Sequence, residues 1–161
     1  MSAGSNFSRI KAVALDVDGV LTDGTFWWGL DGAEVKRFSF RDIMGISRAS
    51  RQGIVFALIS GETSLLIDRY AAKMAIQHVW QGCRDKAAAL RQFAEAGGFR
   101  LDEICFVGDD VNDIAAMQLA GFSASPADGH ASVRSIATMV SQFPGGKGAV
   151  REVLDNLFLN Q

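Results

Sequence analysis

The sequence predicts an α/β fold: an open, doubly wound parallel sheet with helices on both faces and a protruding β-hairpin. Three observations carry that expectation. Short apolar runs, among them Ala12-Val13-Ala14-Leu15 and Ile104-Cys105-Phe106-Val107, alternate with helix-length segments, as βαβ units require. Each run ends abruptly in polar or turn residues: Asp16-Val17-Asp18-Gly19, Ser60-Gly61 and Gly108-Asp109-Asp110. Strands of an open parallel sheet end in this way at the crevice along its carboxyl edge. No internal repeat, low-complexity tract or linker interrupts the 161 residues, so residues 1–161 are expected to form a single domain.

In order, residues 10–15 form the first strand. Residues 25–40, opening on Thr25 and closing on Phe40, are β-rich on both sides of Asp31-Gly32, a hairpin-turn signal. This ribbon carries Trp27 and Trp28 and is too short to bury them by itself. Either it folds back on its own core or, the leading explanation, it is an oligomer interface. A helix is expected over 42–52, with Asp42 as N-cap and Gly53 as stop. The continuous apolar run 54–59 reads as a buried parallel strand. A helix over 62–74, a short strand over 77–80 and a helix over 86–96, stopped by Gly97-Gly98, follow. Next come a buried strand over 104–107, a helix over 111–120 closed by Gly121, and a small strand over 122–124. Signals are weak from there to Val140. Gly145-Gly146-Lys147-Gly148 then precedes a last helix over 149–159.

Composition excludes several function classes. A net charge of −2 without a basic stripe argues against nucleic acid or an anionic membrane as partner. Two cysteines, Cys83 and Cys105, do not make a disulfide framework. No apolar run approaches the roughly 18 residues of a membrane span. Residues 1–8 are small and polar, read as a frayed terminus without a signal-peptide apolar region. A cytoplasmic protein is expected.

The chemistry gathers at the strand ends. Two aspartates two apart on extended backbone point the same way, so Asp16 and Asp18 both face the crevice. Carboxylates so close imply a divalent cation, a shared proton or a basic partner. Asp109 can complete an all-oxygen set with Asp16 and the Val17 carbonyl. Few, hard oxygen ligands suit Mg²⁺, which keeps several waters and bridges to phosphate. Lys86 begins a helix facing the same edge and can neutralise an anionic substrate. Ser60 and the Gly61 amide, at the start of a helix, suit a phosphate. Singly, each has a plainer reading: Asp109 and Asp110 as a capping pair, Asp113 as a first-turn acid, Lys86 as a solvated charge, Ser60 as a cap. Their common placement in strand-end order is hard to explain as caps.

The series D-x-D-G-V-x-T, an apolar strand ending in Ser60, then Lys86, then G-D-D-x-x-D through Asp113, resembles the haloacid dehalogenase phosphatase superfamily over essentially the whole chain. Residues 16–24, the hairpin, Phe38-Ser39-Phe40-Arg41-Asp42 and residues 145–152 are similar to its small cap-less branch of 3-deoxy-D-manno-octulosonate 8-phosphate phosphatases. The resemblance implies a Rossmann-like domain without a cap and a Mg²⁺-dependent phosphatase acting on a 2-keto-3-deoxy sugar acid phosphate. It implies Asp16 as the nucleophile that forms an aspartyl-phosphate, and Asp18 as the acid and then the base. The metal set would draw on Asp16, Asp18 and Asp109, supported by Asp110 and Asp113. Ser60, Gly61 and Lys86 would hold the phosphoryl oxygens. Arg41, Asp42 and Lys147 would lie on the substrate side, Lys147 reaching a carboxylate in its own or a neighbouring subunit. A homotetramer whose hairpins pair and whose subunits close one another's sites is also implied.

The chain departs from the eight-carbon branch at Ser60-Gly61-Glu62, where relatives carry Thr-Gly-Arg, at Asp42-Ile43, where they carry Asp-Gly, and at Tyr70, often an arginine. Arg69 is adjacent but points about 100° away around a helix. Phosphatases for nine-carbon acids resemble this chain in having a glutamate at Glu62 and a lysine at Lys73. Glu62 would then accept from sugar hydroxyls while Lys73 holds it in place. The eight- and nine-carbon substrates stay nearly tied. Two other classes compete: a catalytically weak oligomerisation module related to sialic-acid-activating enzymes, and a receiver-type signalling domain. In a receiver the acceptor aspartate sits apart from the acid pair, whereas here it belongs to the first D-x-D.

Overall fold

The computed structural model describes residues 7–159. In chain order the strands are β1 (Ala12–Leu15), β2 (Trp27–Trp28), β3 (Glu34–Val35), β4 (Val55–Ile59), β5 (His78–Trp80), β6 (Ile104–Val107), β7 (Phe122–Ser125) and β8 (Met139–Val140). The α-helices are α1 (Phe40–Arg51), α2 (Leu65–Met74), α3 (Lys86–Gly97), α4 (Ile114–Leu119), α5 (Ala131–Ile136) and α6 (Ala149–Leu154). Six strands form one sheet in the order β5-β4-β1-β6-β7-β8, with every neighbouring pair parallel.

The period of two along the strands divides the core. Val13, Leu15, Leu58 and Val107 face Ile46, Val150 and Leu154, while Ala12, Ala14, Ile59 and Phe106 face Leu90, Phe93 and Met117. Both faces of the central strands are therefore buried, which is why they read as unbroken apolar runs. β1 lies between β4 and β6, so the chain leaves it in opposite directions and opens a crevice at its carboxyl end.

Several expectations are corrected. α1 is capped by Ser39, whose hydroxyl accepts from the Arg41 amide, so Asp42 lies inside the first turn and is no N-cap. α2 starts at Leu65 behind the cap Ser64, three residues later than the pattern suggested. Residues 111–120 divide into a 3₁₀ turn, Val111–Asp113, and α4. The weak stretch before Val140 contains α5 and β8, which extends the sheet. The last helix runs on as a π-helical turn over Asp155–Leu159. The expectation for residues 1–8 lies outside the described residues at positions 1–6, and Phe7–Arg9 form a 3₁₀ turn.

The hairpin forms as read. β2 and β3 pair antiparallel, the Gly29 amide donates to the Ala33 carbonyl at 2.8 Å, and Gly32 takes the φ of +80° that the turn requires. Trp27 and Trp28 are 74% and 73% exposed, so the chain's own core does not bury them, whereas Phe38 at the end of the ribbon packs on that core. No helix among the described residues is long and apolar enough to cross a membrane.

Candidate active site

The Asp16 amide donates to the Val107 carbonyl at 3.0 Å, which carries the β1–β6 ladder one residue beyond the strand and buries Asp16 at the crevice. The chain then turns sharply. The Val17 carbonyl accepts from the Val20, Leu21 and Thr22 amides, and the buried Thr22 hydroxyl accepts from Gly19 and Gly24. Gly19 sits at φ +93°, and a Cβ there would collide with the Asp109 carboxylate. Only glycine allows this approach. The Val17 carbonyl is committed to the turn, which corrects its expected place among the oxygen ligands.

Lys86 opens α3 and is 3% exposed. Its Nζ donates to Asp16 Oδ1 and Asp113 Oδ1, both at 2.6 Å. The other oxygen of Asp113 accepts from the Asp109 and Asp110 amides at 2.9 and 3.2 Å, so this buried acid fixes the loop that presents Asp109. Asp110 caps the following 3₁₀ turn. One carboxylate oxygen from each of Asp16, Asp109 and Asp113 lies within 4.8 Å of the others. The Asp18 side chain is outside that cluster. Its Oδ1 accepts from Lys36 Nζ at 2.8 Å, and its buried Oδ2 has no partner.

The electrostatics follow from burial. Burial raises the Asp16 carboxyl well above the ordinary carboxylate range, Asp113 adds to the rise, and the Lys86 ammonium pulls against both. Burial likewise pushes Asp109 to about 6, opposed by its hydrogen bond with Asp16 and reinforced by Asp113 and Asp110. For Lys86 burial alone would lower the pKa, but Asp16 and Asp113 outweigh it and the net shift is upward. Three carboxylates thus face one firmly charged ammonium. Such a set of hard oxygens, short of positive charge, fits a divalent cation such as Mg²⁺.

Ser60 and Gly61 share a cleft of about 270 Å³ with Asp16, Asp18, Lys86 and Asp109. They do not stand at a helix N-terminus, because α2 begins only at Leu65; the Ser60 hydroxyl accepts from the Glu62 amide in a local turn instead. Glu62 also lines this cleft. Lys73 does not hold it: no ion pair joins the two among the described residues, and Lys73 Nζ lies 5.7 Å from the Phe40 ring centroid. Arg41 and Lys147 line a different groove, with Arg37, Ser39 and Gly146. Gly145 and Gly146 press on Gly19 and Thr22, and the Gly146 amide donates to the Val20 carbonyl, so this basic groove adjoins the turn that follows Asp16 in its own chain.

Asp42 is the clearest correction. It is fully buried, and Oδ1 accepts from the Arg151 amide at 2.9 Å, joining α1 to α6. Burial raises its carboxyl to about 6, against the pull of the Arg151 and Gly148 amides. Tyr70 is buried as well, its ring 4.6 Å from Phe38. Two residues of the region escaped the sequence reading. Asn112 reaches the cleft beside Gly61, and only its position within G-D-D-V-N-D marked it. The other is Lys36 of the ribbon, whose contact with Asp18 no local sequence signal marks.

A family model described as haloacid dehalogenase-like hydrolase matches residues 79–154. The 3-deoxy-D-manno-octulosonate 8-phosphate phosphatase of Escherichia coli is 38% identical over 153 residues, covering 95% of this chain and 81% of the relative. The crystal structure of the Moraxella catarrhalis enzyme, in complex with magnesium ion, phosphate ion and KDO, superposes with a TM-score of 0.93 at 34% identity, covering 99% of this chain and 94% of that one. The cobalt-bound form of the phosphatase from Haemophilus influenzae superposes at 0.92 and 33% identity, over 95% and 90% of the two chains.

Proposed function

Because the chain belongs to the haloacid dehalogenase-like hydrolases, in the family of 3-deoxy-D-manno-octulosonate 8-phosphate phosphatases, we propose that it hydrolyses the phosphate monoester of a 2-keto-3-deoxy sugar acid through an aspartyl-phosphate on Asp16. The observation that carries this reading is the buried Asp16, held on one oxygen by Lys86 and facing Asp109 with the other group of the cluster. Asp16 attacks phosphorus, the bond from phosphorus to the sugar oxygen breaks, and Asp18 gives that oxygen a proton. Asp18 then takes a proton from the water that attacks the phosphoryl group, and Asp16 is released. An ammonium has three N–H groups; two of those on Lys86 are taken, and the third is left for a phosphoryl oxygen. The Ser60 hydroxyl and Gly61 amide serve the other phosphoryl oxygens as charge spreads over them. Asp16, Asp109 and Asp113 are the residues suited to hold Mg²⁺, as ligands or through its waters. When bound, Mg²⁺ screens the nucleophile from the anionic substrate.

The same reading takes residues 1–161 as one cytoplasmic catalytic unit and the exposed Phe26, Trp27, Trp28 and Leu30 as the contact surface of a homotetramer. A catalytically weak oligomerisation module would not need the complete set of Asp16, Asp18, Lys86 and Asp109. The test is kcat/KM on 3-deoxy-D-manno-octulosonate 8-phosphate, its nine-carbon counterpart and 4-nitrophenyl phosphate, with and without Mg²⁺. The sugar acid phosphates should be preferred and all turnover should need the metal. Equal rates on all three would remove the substrate assignment, and metal-independent activity would overturn the mechanism.

A further inference from the structure

We propose that Lys36 is a positioning residue for the acid/base step, clamping one oxygen of Asp18 from the hairpin so that the other is left for the leaving group. The proposal rests on the reading of Asp18 as acid and base. Lys36 directly follows β3, a strand of two residues in a ribbon that is otherwise largely exposed. Its side chain is nevertheless only 4% exposed. An ammonium is withdrawn from water at a considerable cost unless paired, and Lys36 has two carboxylates to meet: Asp18 Oδ1 at 2.8 Å and Glu34 Oε2 at 3.9 Å. A solvated ribbon charge would have neither.

The terminal torsion of an aspartate is broad and roughly two-fold, so a free carboxylate does not choose which oxygen it presents. Tying Oδ1 to Lys36 removes that freedom and leaves Oδ2, which is buried, unpartnered and part of a residue lining the cleft. Lys36 is in turn anchored to the frame. Glu34 Oε2 accepts from the Ser64 hydroxyl at 3.1 Å, and Ser64 caps α2 while its amide donates to Gln81 at 2.8 Å. The hairpin is thereby fastened at the acid/base residue and at the start of a helix. Misplacing a reacting group by about an ångström can cost about 100-fold in rate, so such a clamp matters to turnover.

The leaving group separates positioning from mere structural support. kcat/KM reports the transfer of phosphoryl from substrate to enzyme, where an alkoxide needs a proton and 4-nitrophenolate does not. Lys36→Met should lower kcat/KM roughly 100-fold or more on the sugar acid phosphate, and less than about 10-fold on 4-nitrophenyl phosphate. Lys36→Arg should restore part of the selective loss. Asp18→Asn is the control: if its loss is not selective for the alkyl ester, the reading of Asp18 itself fails. If that control is selective while Lys36→Met depresses both substrates equally, or neither, the clamp is overturned. Should Lys36→Met not fold, Glu34→Gln carries the test, with the same selectivity expected at smaller size and an equal loss on both substrates counting against the proposal.

Discussion

Each aspartate of Asp16-Val17-Asp18 is gripped by a lysine, and the two lysines come from opposite kinds of structure. Lys86 is the first residue of a twelve-residue helix packed on the sheet, shared between Asp16 and a second acid, Asp113, that is fully buried. Lys36 comes from a short ribbon whose tryptophans face outward. The surroundings of Asp16 are thus part of the core. Asp18 is held by an outlying element that is tied to the rest of the chain through Lys36 and through the Glu34–Ser64 hydrogen bond. One half of the D-x-D pair is set by the sheet, the other by the periphery.

Asp16→Asn should remove phosphate release to background while the melting temperature stays within a few degrees of the parent; substantial residual turnover would remove Asp16 from the nucleophile's role. Lys86→Met should abolish activity and also destabilise by about 3–5 kcal/mol in urea unfolding, because Asp16 and Asp113 are left buried without their cation. A loss below about 1 kcal/mol would show that the core does not depend on this ammonium. On the peripheral side, Trp27→Ser with Trp28→Ser should shift the species seen by light scattering below a tetramer and lower activity, with little change in the unfolding of the chain itself. A fully active monomer would contradict the role given to the ribbon.

Two smaller effects depend on pH. The Asp109 carboxyl is raised from 3.8 to about 6, so the folded state holds its proton more tightly than the unfolded chain does. Its contribution is present below 3.8 and is lost as pH rises through about 6, and metal binding runs the other way, since the ligand must be deprotonated. The rise in melting temperature produced by Mg²⁺ should therefore be large at pH 8 and fade as pH falls through about 6, and Asp109→Asn should erase it. A Mg²⁺ effect independent of pH would contradict that linkage. Asp42 has the same sign, being raised to about 6, but lies away from the cleft. Asp42→Asn keeps an acceptor for the Arg151 amide and removes the charge, so stability at pH 8 should rise by about 1 kcal/mol with kcat/KM unchanged. A tenfold loss of kcat/KM would return Asp42 to the substrate side.

The acid cluster was legible because its members carry strong local signals. A strand running into D-x-D-G, or into G-D-D, announces its own end, and Gly19 marks a close approach that the Asp109 carboxylate explains. Helix starts were less legible, since Ser39 and Asp42 are both good caps by residue type. What decides between them is Arg151, 109 residues away, whose amide claims the Asp42 carboxylate. The start of α2 was missed for a similar reason: the Ser60 hydroxyl closes a local turn on Glu62 and delays the helix to Ser64. β8 has only two residues, too short a run to signal a strand, and it exists by pairing with β7.

By itself the sequence determined the alternation of strands and helices, the polar residue at each strand end and the turn that only Gly19 permits. These are properties of neighbours along the chain, governed by side-chain period and backbone freedom. Tertiary structure alone decided which charges meet. Lys36 is 18 residues from Asp18 and Lys86 is 70 from Asp16, and no spacing rule joins either pair. A buried charge must find a partner wherever the sheet order brings one, and the order β4-β1-β6 is a property of the whole fold.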